Sequence, residues 1–455
     1  MSRSIPLILV FCIIVLAVSL DDLTKEGVAL RDAGKYDEAI LKFQQVLSSK
    51  PKHAGANYEL GQTYLKKSDG QNAVKYFKDA LDFGYDEVKC RTGLGLANIV
   101  AENYSEAVAE FQILTQLQPN NPEFLTLYAD ASLQGGTSGL AEDLYRQALK
   151  ANSSYVPAMF GLANFFRNKR MADSTLSYYK KVKATQPDYA QVYLALGTFY
   201  AEKKDSVKSF VEINKYMQLK PKDYNGPKTM ADIYVKMKNY KNAELYQLKA
   251  ISLGDTATSS LRFLAFIDKQ LKKWPEHKEI LKQIVLRTPD DVAVWKELAE
   301  AYTKLDSAAG ANQAYAQVVR IDTTYIPTIA FERGLVYYSL TKYDSAIAWF
   351  TKKVQYDSIS AGPYFNRAIA YYQLKKYKET IKDLEKYLKL KPKSVQAWVL
   401  LSQTYWFDSN KQAAIKACKE ALKLDPKNKD ANKLMKELKR PPKKTYEDYW
   451  DYGDE

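Results

Sequence analysis

The chain has 455 residues, of which 67 are Lys or Arg and 53 are Asp or Glu, so its formal net charge at neutral pH is +14. It has only two histidines, His53 and His277, in separate parts of the sequence, which excludes a local dyad of histidine with serine or cysteine. Its three cysteines exclude a disulfide-rich fold, and the spacings typical of metal-binding motifs are absent from the sequence. We therefore expect no enzyme, no cofactor and no metal site.

The first 19 residues have the layout of a secretory signal peptide. Arg3 precedes an apolar run from Ile5 to Val18, and Ala17-Val18-Ser19 offers a cleavage site of small residues. The run is shorter than the roughly 20 residues that span a membrane comfortably. We expect an exported protein, periplasmic or extracellular, without membrane insertion after cleavage. The alternative is anchoring through an uncleaved segment.

A small residue then returns at a fixed interval. The interval is 34 residues for the first nine positions, and after one additional residue it resumes for three more: Gly27, Gly61, Gly95, Ala129, Ala163, Gly197, Ala231, Ala265, Ala299, Gly334, Ala368 and Ser402. Further small, aromatic and proline residues keep the same phase, as at Ala39, Phe43 and Pro51 in the first unit. A constant period predicts units that cannot bury an apolar face alone and must stack on their neighbours.

This pattern resembles the tetratricopeptide repeat family. We count the recurring small residue as position 8 of the repeat. Alanine is then usual at position 20, as in Ala39, Ala73, Ala107 and Ala141. Aromatic residues are frequent at position 11, as in Tyr64, Phe166, Tyr200 and Tyr234. The resemblance implies an all-α, right-handed superhelical solenoid with twelve helix-turn-helix repeats over residues 20–426, which we expect to form one elongated domain. The eighth repeat departs from the pattern with His277 at position 20 and Trp274-Pro275 at its turn. Since proline suits the first turn of a helix, we interpret this as a local variation.

The resemblance also implies that positions 2, 5, 9, 12 and 13 of the first helices line a concave groove. In repeats seven to nine these positions are mainly basic, with Lys228, Lys236, Arg262, Lys269, Lys296 and Lys304. In repeats ten to twelve they are apolar and aromatic, with Phe331, Leu335, Tyr338, Phe365, Ile369, Tyr372, Val399, Trp406 and Phe407. We expect these residues to bind an acidic and aromatic peptide or protein partner. The alternative is that the large side chains pack against the next repeat.

The C-terminal end has two parts. Residues 427–440 are expected to form a capping helix with one apolar face, and Pro441-Pro442 ends it. Residues 441–455 are predicted to be disordered, because the segment Tyr446–Glu455 interleaves acidic and aromatic residues and cannot form its own core. One hypothesis places this segment in the groove of its own or a neighbouring molecule. The alternative is a solvated tail without a role in binding.

Three classes of function remain open from the sequence. Most lysines fall in helix ends and turns, such as Lys203-Lys204 and Lys375-Lys376, where solvated charge is the ordinary interpretation, so nucleic acid is not expected as a partner. A scaffold for a protein or peptide partner in the cell envelope is favoured. A structural or self-associating envelope component is the alternative, and an enzyme is the least favoured.

Overall fold

The computed structural model describes residues 19–439, apart from the side chain of Ser138. The described part contains 25 α-helices and no strand. The predicted signal peptide, except for Ser19, and the predicted tail lie outside the described residues, as does Arg440 of the predicted capping helix. The prediction of an all-α solenoid of helical pairs is confirmed.

The helices divide between two compact units, and the boundary along the chain falls between Pro221 and Lys222. The first unit contains α1 Leu20–Asp32, α2 Tyr36–Ser49, α3 Ala54–Lys66, α4 Gly70–Asp82, α5 Glu87–Val100, α6 Tyr104–Leu117, α7 Pro122–Gln134, α8 Ser138–Ala151, α9 Val156–Asn168, α10 Ala172–Thr185, α11 Ala190–Glu202 and α12 Ser206–Leu219. Each odd-numbered helix pairs with the helix that follows it.

The second unit continues the alternation. It contains α13 Asn225–Lys236, α14 Tyr240–Ser252, α15 Thr258–Gln270, α16 Trp274–Arg287, α17 Val292–Lys304, α18 Ala308–Ile321, α19 Ile326–Ser339, α20 Tyr343–Tyr356, α21 Ala361–Gln373, α22 Tyr377–Leu390, α23 Val395–Phe407, α24 Lys411–Leu424 and α25 Lys429–Leu438. A short 3-10 turn at Thr323–Tyr325 precedes α19. Its place coincides with the one-residue shift of the period between Ala299 and Gly334.

The turn within each helical pair has the same backbone conformation throughout. Seven residues after the recurring small residue, one residue takes a positive φ that stops the first helix. Glycine occupies this position only at Gly34 and Gly136 among the twelve turns. Ten other turns place a residue with a side chain there: Ser68, Glu102, Arg170, Lys204, Lys238, Lys272, Asp306, Thr341, Lys375 and Ser409.

The recurring small residue is the contact point between the two helices of a pair. Phe43 follows Gly27 by sixteen residues and is fully buried. A Cβ atom added to Gly27 would lie 2.6 Å from the Phe43 ring. The same contact joins Gly61 to Phe77, Gly95 to Phe111 and Gly334 to Phe350. Where alanine replaces the glycine, the residue sixteen positions later is never phenylalanine: it is Tyr145, Tyr179, Gln247, Leu281, Tyr315 or Leu384. Every phenylalanine at this position thus faces a glycine, although Gly197 faces Ile213 instead.

The unusual eighth repeat keeps this architecture. Helix α16 begins at Trp274 with Pro275 in its first turn, so the prediction of a local variation is confirmed. His277 is fully buried, and its Nδ1 lies 2.9 Å from the carbonyl oxygen of Ala265 in the preceding helix. At the position where most repeats have a packed alanine, this repeat therefore has a histidine that forms a hydrogen bond between the paired helices.

The last described helix covers the end of the second unit. All four residues of its predicted apolar face are buried, namely Ala431, Leu434, Met435 and Leu438, and they pack against the apolar side of α24. Within residues 19–439, no helix combines the length and the apolar character that crossing a membrane requires.

Candidate functional site

The apolar residues predicted for repeats ten to twelve all lie on three first helices of the second unit. We call this set the aromatic surface: Phe331, Leu335, Tyr338, Phe365, Ile369, Tyr372, Val399, Trp406 and Phe407. They occupy α19, α21 and α23. The sequence reasoning therefore selected residues of successive first helices, but their exposure differs widely along the surface.

Three members of the aromatic surface are exposed large apolar side chains. Leu335 is 38% exposed, Trp406 is 40% exposed and Phe407 is 54% exposed. Exposed apolar side chains that lie together are a frequent feature of protein-binding sites, and tryptophan often contributes much of the binding energy.

Phe407 belongs to a small cluster of rings that joins two repeats. Its ring stacks on Tyr377 with centroids 5.7 Å apart, and it lies 6.2 Å from the ring of Tyr372. Tyr377 was not among the residues selected from the sequence, because it begins a second helix. The signal was present, since tyrosine also begins the second helix at Tyr36, Tyr104, Tyr240 and Tyr343.

Other members of the aromatic surface are tied into the interior. The Phe331 ring centroid lies 5.8 Å from that of Phe350, and that of Phe365 lies 4.8 Å from that of Tyr387. Val399 is only 8% exposed and belongs to the core cluster that α25 covers. The alternative interpretation, packing within the array, thus describes Val399 and part of the contacts of Phe331 and Phe365.

A cavity of about 480 Å³ opens within the aromatic surface beside α25. Phe365, Ile369, Tyr372 and Val399 form its apolar lining, and Asp430 contributes a polar edge from α25. The buried Val399 therefore forms part of the lining of this cavity. The capping helix borders the candidate site in addition to covering the core.

The basic residues predicted for repeats seven to nine are neutralised in half of the cases. We call the six residues named above the basic set. Three of them make ion pairs with carboxylates that follow in the chain: Lys228 with Asp255 at 3.1 Å, Arg262 with Asp291 at 2.5 Å, and Lys269 with Glu297 at 2.9 Å. The other three, Lys236, Lys296 and Lys304, make no ion pair with any residue that the structure describes.

The pKa values of the partner carboxylates reflect these pairs. Burial alone would raise the pKa of Asp255, but hydrogen bonds from Ser260 and Lys228 outweigh it and lower that pKa. The pKa of Asp291 is lowered as well, since the opposing effect of burial is exceeded by Arg262 and by backbone hydrogen bonds. Both carboxylates are therefore charged at neutral pH. The face is less positive than the sequence predicted, because its cations also serve to join repeats.

A second cavity, of about 560 Å³, lies among α15, α16, α17, α18 and α19, and we call it the repeat-nine cavity. Lys269, Lys304 and Leu335 border it, so the structure brings two members of the basic set close to the aromatic surface. Sequence reasoning did not assign Trp274, His277, Tyr315 or Glu332 to a site, and all of them line this cavity. Burial, with Glu332 and Glu300, raises the pKa of Tyr315, so its phenol is neutral.

No group of three or more His, Cys, Asp or Glu side chains placed to hold a metal ion occurs within residues 19–439. The two described cysteines, Cys90 and Cys418, are buried free thiols. Burial raises the pKa of Cys90 to about 11. That thiol is therefore protonated at neutral pH and has little nucleophilic character.

Family models match both units of the chain. Residues 24–86 and 92–157 match a model described as tetratricopeptide repeat, and residues 229–253, 361–394 and 395–428 match a second model with the same description. The second set of matches contains Phe365, Ile369, Tyr372, Val399, Trp406 and Phe407 of the aromatic surface.

Curated proteins with similar sequences come from several organisms. The chain is 22% identical over 299 residues to Superkiller complex protein 3 of Homo sapiens, a match that covers 63% of this chain and 19% of that protein. It is 19% identical to a DnaJ homolog subfamily C member 3 homolog of Dictyostelium discoideum, covering 35% of each. It is 22% identical to a BBSome complex member BBS4 homolog of Drosophila melanogaster, covering 50% of this chain and 49% of that protein. The matched part is thus less than half the length of each relative.

Solved structures also resemble the chain. A tetratricopeptide repeat protein from Parabacteroides merdae matches 55% of this chain and 98% of its own, with a TM-score of 0.47 and 16% identity. The MamA protein matches 37% of this chain and 92% of its own, with a TM-score of 0.36 and 18% identity.

Proposed function

Because this chain belongs to the tetratricopeptide repeat family, we propose that it is a non-catalytic scaffold that binds a peptide or protein partner on its aromatic surface, in the cell envelope. Repeats of this family generally serve protein–protein interaction. The further assignment to one surface and one compartment is our proposal. Two of the similar proteins are named as members of complexes, which agrees with a role in assembly.

The observation that carries the proposal is the exposure of Leu335 on α19 and of Trp406 and Phe407 on α23, the outer two of the three first helices that form the aromatic surface. Burying an exposed large apolar side chain against a partner gains about 25 cal/mol for each Å² removed from water. Nothing within residues 19–439 covers these side chains fully. A partner with aromatic or branched apolar side chains would satisfy them.

The binding experiment compares two triple variants of the full chain. Leu335→Ser, Trp406→Ser and Phe407→Ser together remove the exposed part of the aromatic surface. Their matched control replaces Leu41, Leu286 and Ile359, which are exposed apolar residues outside that surface, by serine. After crosslinking in the native envelope fraction, the first variant is expected to lose a defined partner that the control retains.

Circular dichroism accompanies both variants and should show unchanged helical content. Retention of the partner by the aromatic-surface variant would contradict the proposal, and equal loss in both variants would do so as well. The compartment is tested separately by the N-terminal residue of the purified protein. A protein that starts after Ser19 and fractionates with the envelope supports export, whereas an intact Met1 in the cytosolic fraction contradicts it.

The acidic and aromatic segment Tyr446–Glu455 supplies a candidate competitor for the partner. Its aromatic residues could pack against the apolar side chains of the aromatic surface. The basic set attracts its acidic residues less strongly than the sequence implied, because Lys228, Arg262 and Lys269 are already paired with carboxylates. A tethered segment acts at a high effective concentration even when its own affinity is weak. Deleting residues 443–455 should raise the affinity for the partner. Unchanged affinity would make the segment a bystander.

Self-association is the second candidate function, and exposed apolar residues on second helices favour it. Leu245 and Leu248 lie on one face of α14 and are 62% and 48% exposed. A second copy could cover this face. Sedimentation velocity over a range of concentrations distinguishes the two functions. A scaffold for another protein remains a monomer, whereas a self-associating component forms larger species. In the second case, Leu245→Ser with Leu248→Ser should abolish the larger species.

A further inference from the structure

The repeat-nine cavity has an excess of carboxylates, although the chain as a whole is basic. Its lining contains Glu300, Asp306 and Glu332 against Lys269 and Lys304. Lys269 is already held by Glu297 at 2.9 Å and by Glu300 at 3.6 Å. Among the described residues, Asp306 and Glu332 make no ion pair. Two carboxylates at the cavity are thus without a cationic partner, and one lysine is available to offset them.

A buried acceptor also lies at this cavity. The Nδ1 of His277 lies 2.9 Å from the carbonyl oxygen of Ala265, which can only accept, so Nδ1 carries the proton. Burial lowers the pKa of His277, and the neutral ring then presents Nε2 as an acceptor. This Nε2 is fully buried and has no hydrogen-bond partner. The Oε1 of Glu297 lies 3.7 Å from it and already accepts a hydrogen bond from Lys269 at 2.9 Å, so it supplies no donor to Nε2.

The two observations call for the same chemistry. The unpaired Nε2 of His277 lacks a hydrogen-bond donor, and the carboxylates without a cationic partner attract a cation. The ring of Trp274, which lines the cavity, can attract the charged group of a cationic side chain. An anionic group, in contrast, would meet Glu300, Asp306 and Glu332.

We propose that the repeat-nine cavity binds a lysine or arginine side chain of the partner, anchoring a segment whose neighbouring apolar residues lie on the aromatic surface. The proposal rests on the proposed function, since it names one residue of the partner that the scaffold recognises. Leu335 belongs to both sites, so a single extended segment can contact them together. The recognised segment therefore contains a basic residue beside aromatic or branched apolar residues.

The test uses the full chain and pools of capped nonapeptides with one fixed central residue. The fixed residue is arginine, lysine, norleucine or glutamate, and the flanking positions are mixtures of Tyr, Phe, Leu, Ser and Gly. Fluorescence anisotropy measures binding of each pool. The arginine or lysine pool is expected to bind about tenfold tighter than the norleucine pool, because the norleucine side chain carries no charge and cannot donate a hydrogen bond to the cavity.

The variants isolate the cavity. Asp306→Asn with Glu332→Gln removes both unpaired carboxylates and should abolish the preference for a basic residue, while binding of the norleucine pool is unchanged. Glu379→Gln with Glu437→Gln changes the net charge equally at exposed positions outside the cavity and should retain the preference.

The outcomes separate this inference from the proposed function. Equal binding of all pools, or a basic preference that survives Asp306→Asn with Glu332→Gln, overturns the cavity assignment alone. Absence of binding by every pool overturns the aromatic surface as a peptide site and the cavity assignment with it. Loss of the preference only in the cavity variant supports the inference.

Discussion

Arg367 and Asp383 show how single residues join the two helices of one repeat. The guanidinium of Arg367 in α21 donates two hydrogen bonds to Asp383 in α22, at 2.6 and 2.7 Å, and a third to the hydroxyl of Thr351 at 3.0 Å. Both side chains are largely buried. Taking charges out of water is costly, and the attraction between them compensates only if both are present.

Asp383→Asn is therefore expected to destabilise the protein strongly, because it leaves the Arg367 charge buried without a counter-ion. The loss in free energy of unfolding should be about 3 to 5 kcal/mol. The matched control is Asp344→Asn, which breaks the exposed pair of Asp344 with Lys376 and should cost less than about 1 kcal/mol. Urea denaturation measures both. Equal losses would show that burial does not determine the effect.

Asp268 is a buried carboxylate whose state depends on pH. It is 2% exposed, and its Oδ1 lacks a hydrogen-bond partner. Burial raises its pKa to about 7, with a further contribution from Glu244, whereas Lys273 acts in the opposite direction. The folded protein then holds this proton more tightly than the unfolded chain, whose aspartates titrate near about 4.

The consequence is a loss of stability as the pH rises from about 4 to about 7, since only the folded state binds the proton in that window. Asp268→Asn is neutral at every pH and should remove this dependence. The variant is expected to be more stable than the original protein at pH 8, with the difference disappearing near pH 4. Thermal unfolding across this range measures it. A variant that is less stable at pH 8 would contradict the assignment.

At the scale of the helical pair, the contact between a glycine and a phenylalanine ring sets how closely two helices approach. In the third repeat, a Cβ atom at Gly95 would lie 2.5 Å from the ring of Phe111, well inside the distance that two carbons tolerate. The ring itself is fully buried and cannot move into solvent. Overpacking of this kind typically costs about 1 to 3 kcal/mol.

Gly95→Ala is thus expected to lower the free energy of unfolding by about that amount, despite the better helix propensity of alanine. Phe111→Leu in the same chain should restore part of the loss, because it makes room for the methyl group. The control is Gly139→Ala in α8, where no heavy atom lies within 4 Å of the added Cβ. That change should be neutral or stabilising by up to about 1 kcal/mol. Full additivity of Gly95→Ala and Phe111→Leu would contradict the proposed contact.

The helical pairs could be predicted from sequence because period, small residues and proline all act within one repeat. The exposure of the aromatic surface could be predicted only in part. Trp406 and Phe407 are exposed. Val399 lies on the same helix but is covered by α25, a helix outside its own repeat. Position in the repeat specifies the helix face, whereas burial depends on what the next repeat places against that face.

Across the molecule, the same limit applies to charge. The members of the basic set lie on α13, α15 and α17, yet Lys228, Arg262 and Lys269 are paired with carboxylates about 28 residues further along the chain. The position of a cation within its own repeat does not reveal these pairs, because each carboxylate lies in the first helix of the following repeat or just before it. The repeat-nine cavity was missed for the same reason, since His277 and Glu332 belong to different repeats and line one cavity only because the repeats pack together.

Helix α25 is the last of the described helices and is not followed by a paired helix among them, so its contacts differ from those of the helices within the repeats. It covers α24 through Leu434, Met435 and Leu438. In a chain of repeats, each unit is stabilised by its own interactions and by contact with its neighbours. Damage at the last helix should therefore weaken the adjacent repeats first and leave distant repeats unaffected.

Leu434→Asn with Leu438→Asn tests this coupling by removing the buried face of α25 while keeping the chain intact. Hydrogen exchange of backbone amides should accelerate strongly in α23 and α24, less in α21 and α22, and not in α1 to α12. Lys433→Asn with Lys436→Asn changes exposed residues of the same helix and should leave exchange in α23 and α24 unchanged. If exchange instead accelerated equally in all helices, the protein would unfold as one cooperative body, and α25 would stabilise the whole chain, including its most distant repeats.

A graded loss would also weaken the aromatic surface, because α25 borders the cavity formed by Phe365, Tyr372 and Val399. Partner affinity should then fall in the α25 variant although its substitutions lie outside the aromatic surface.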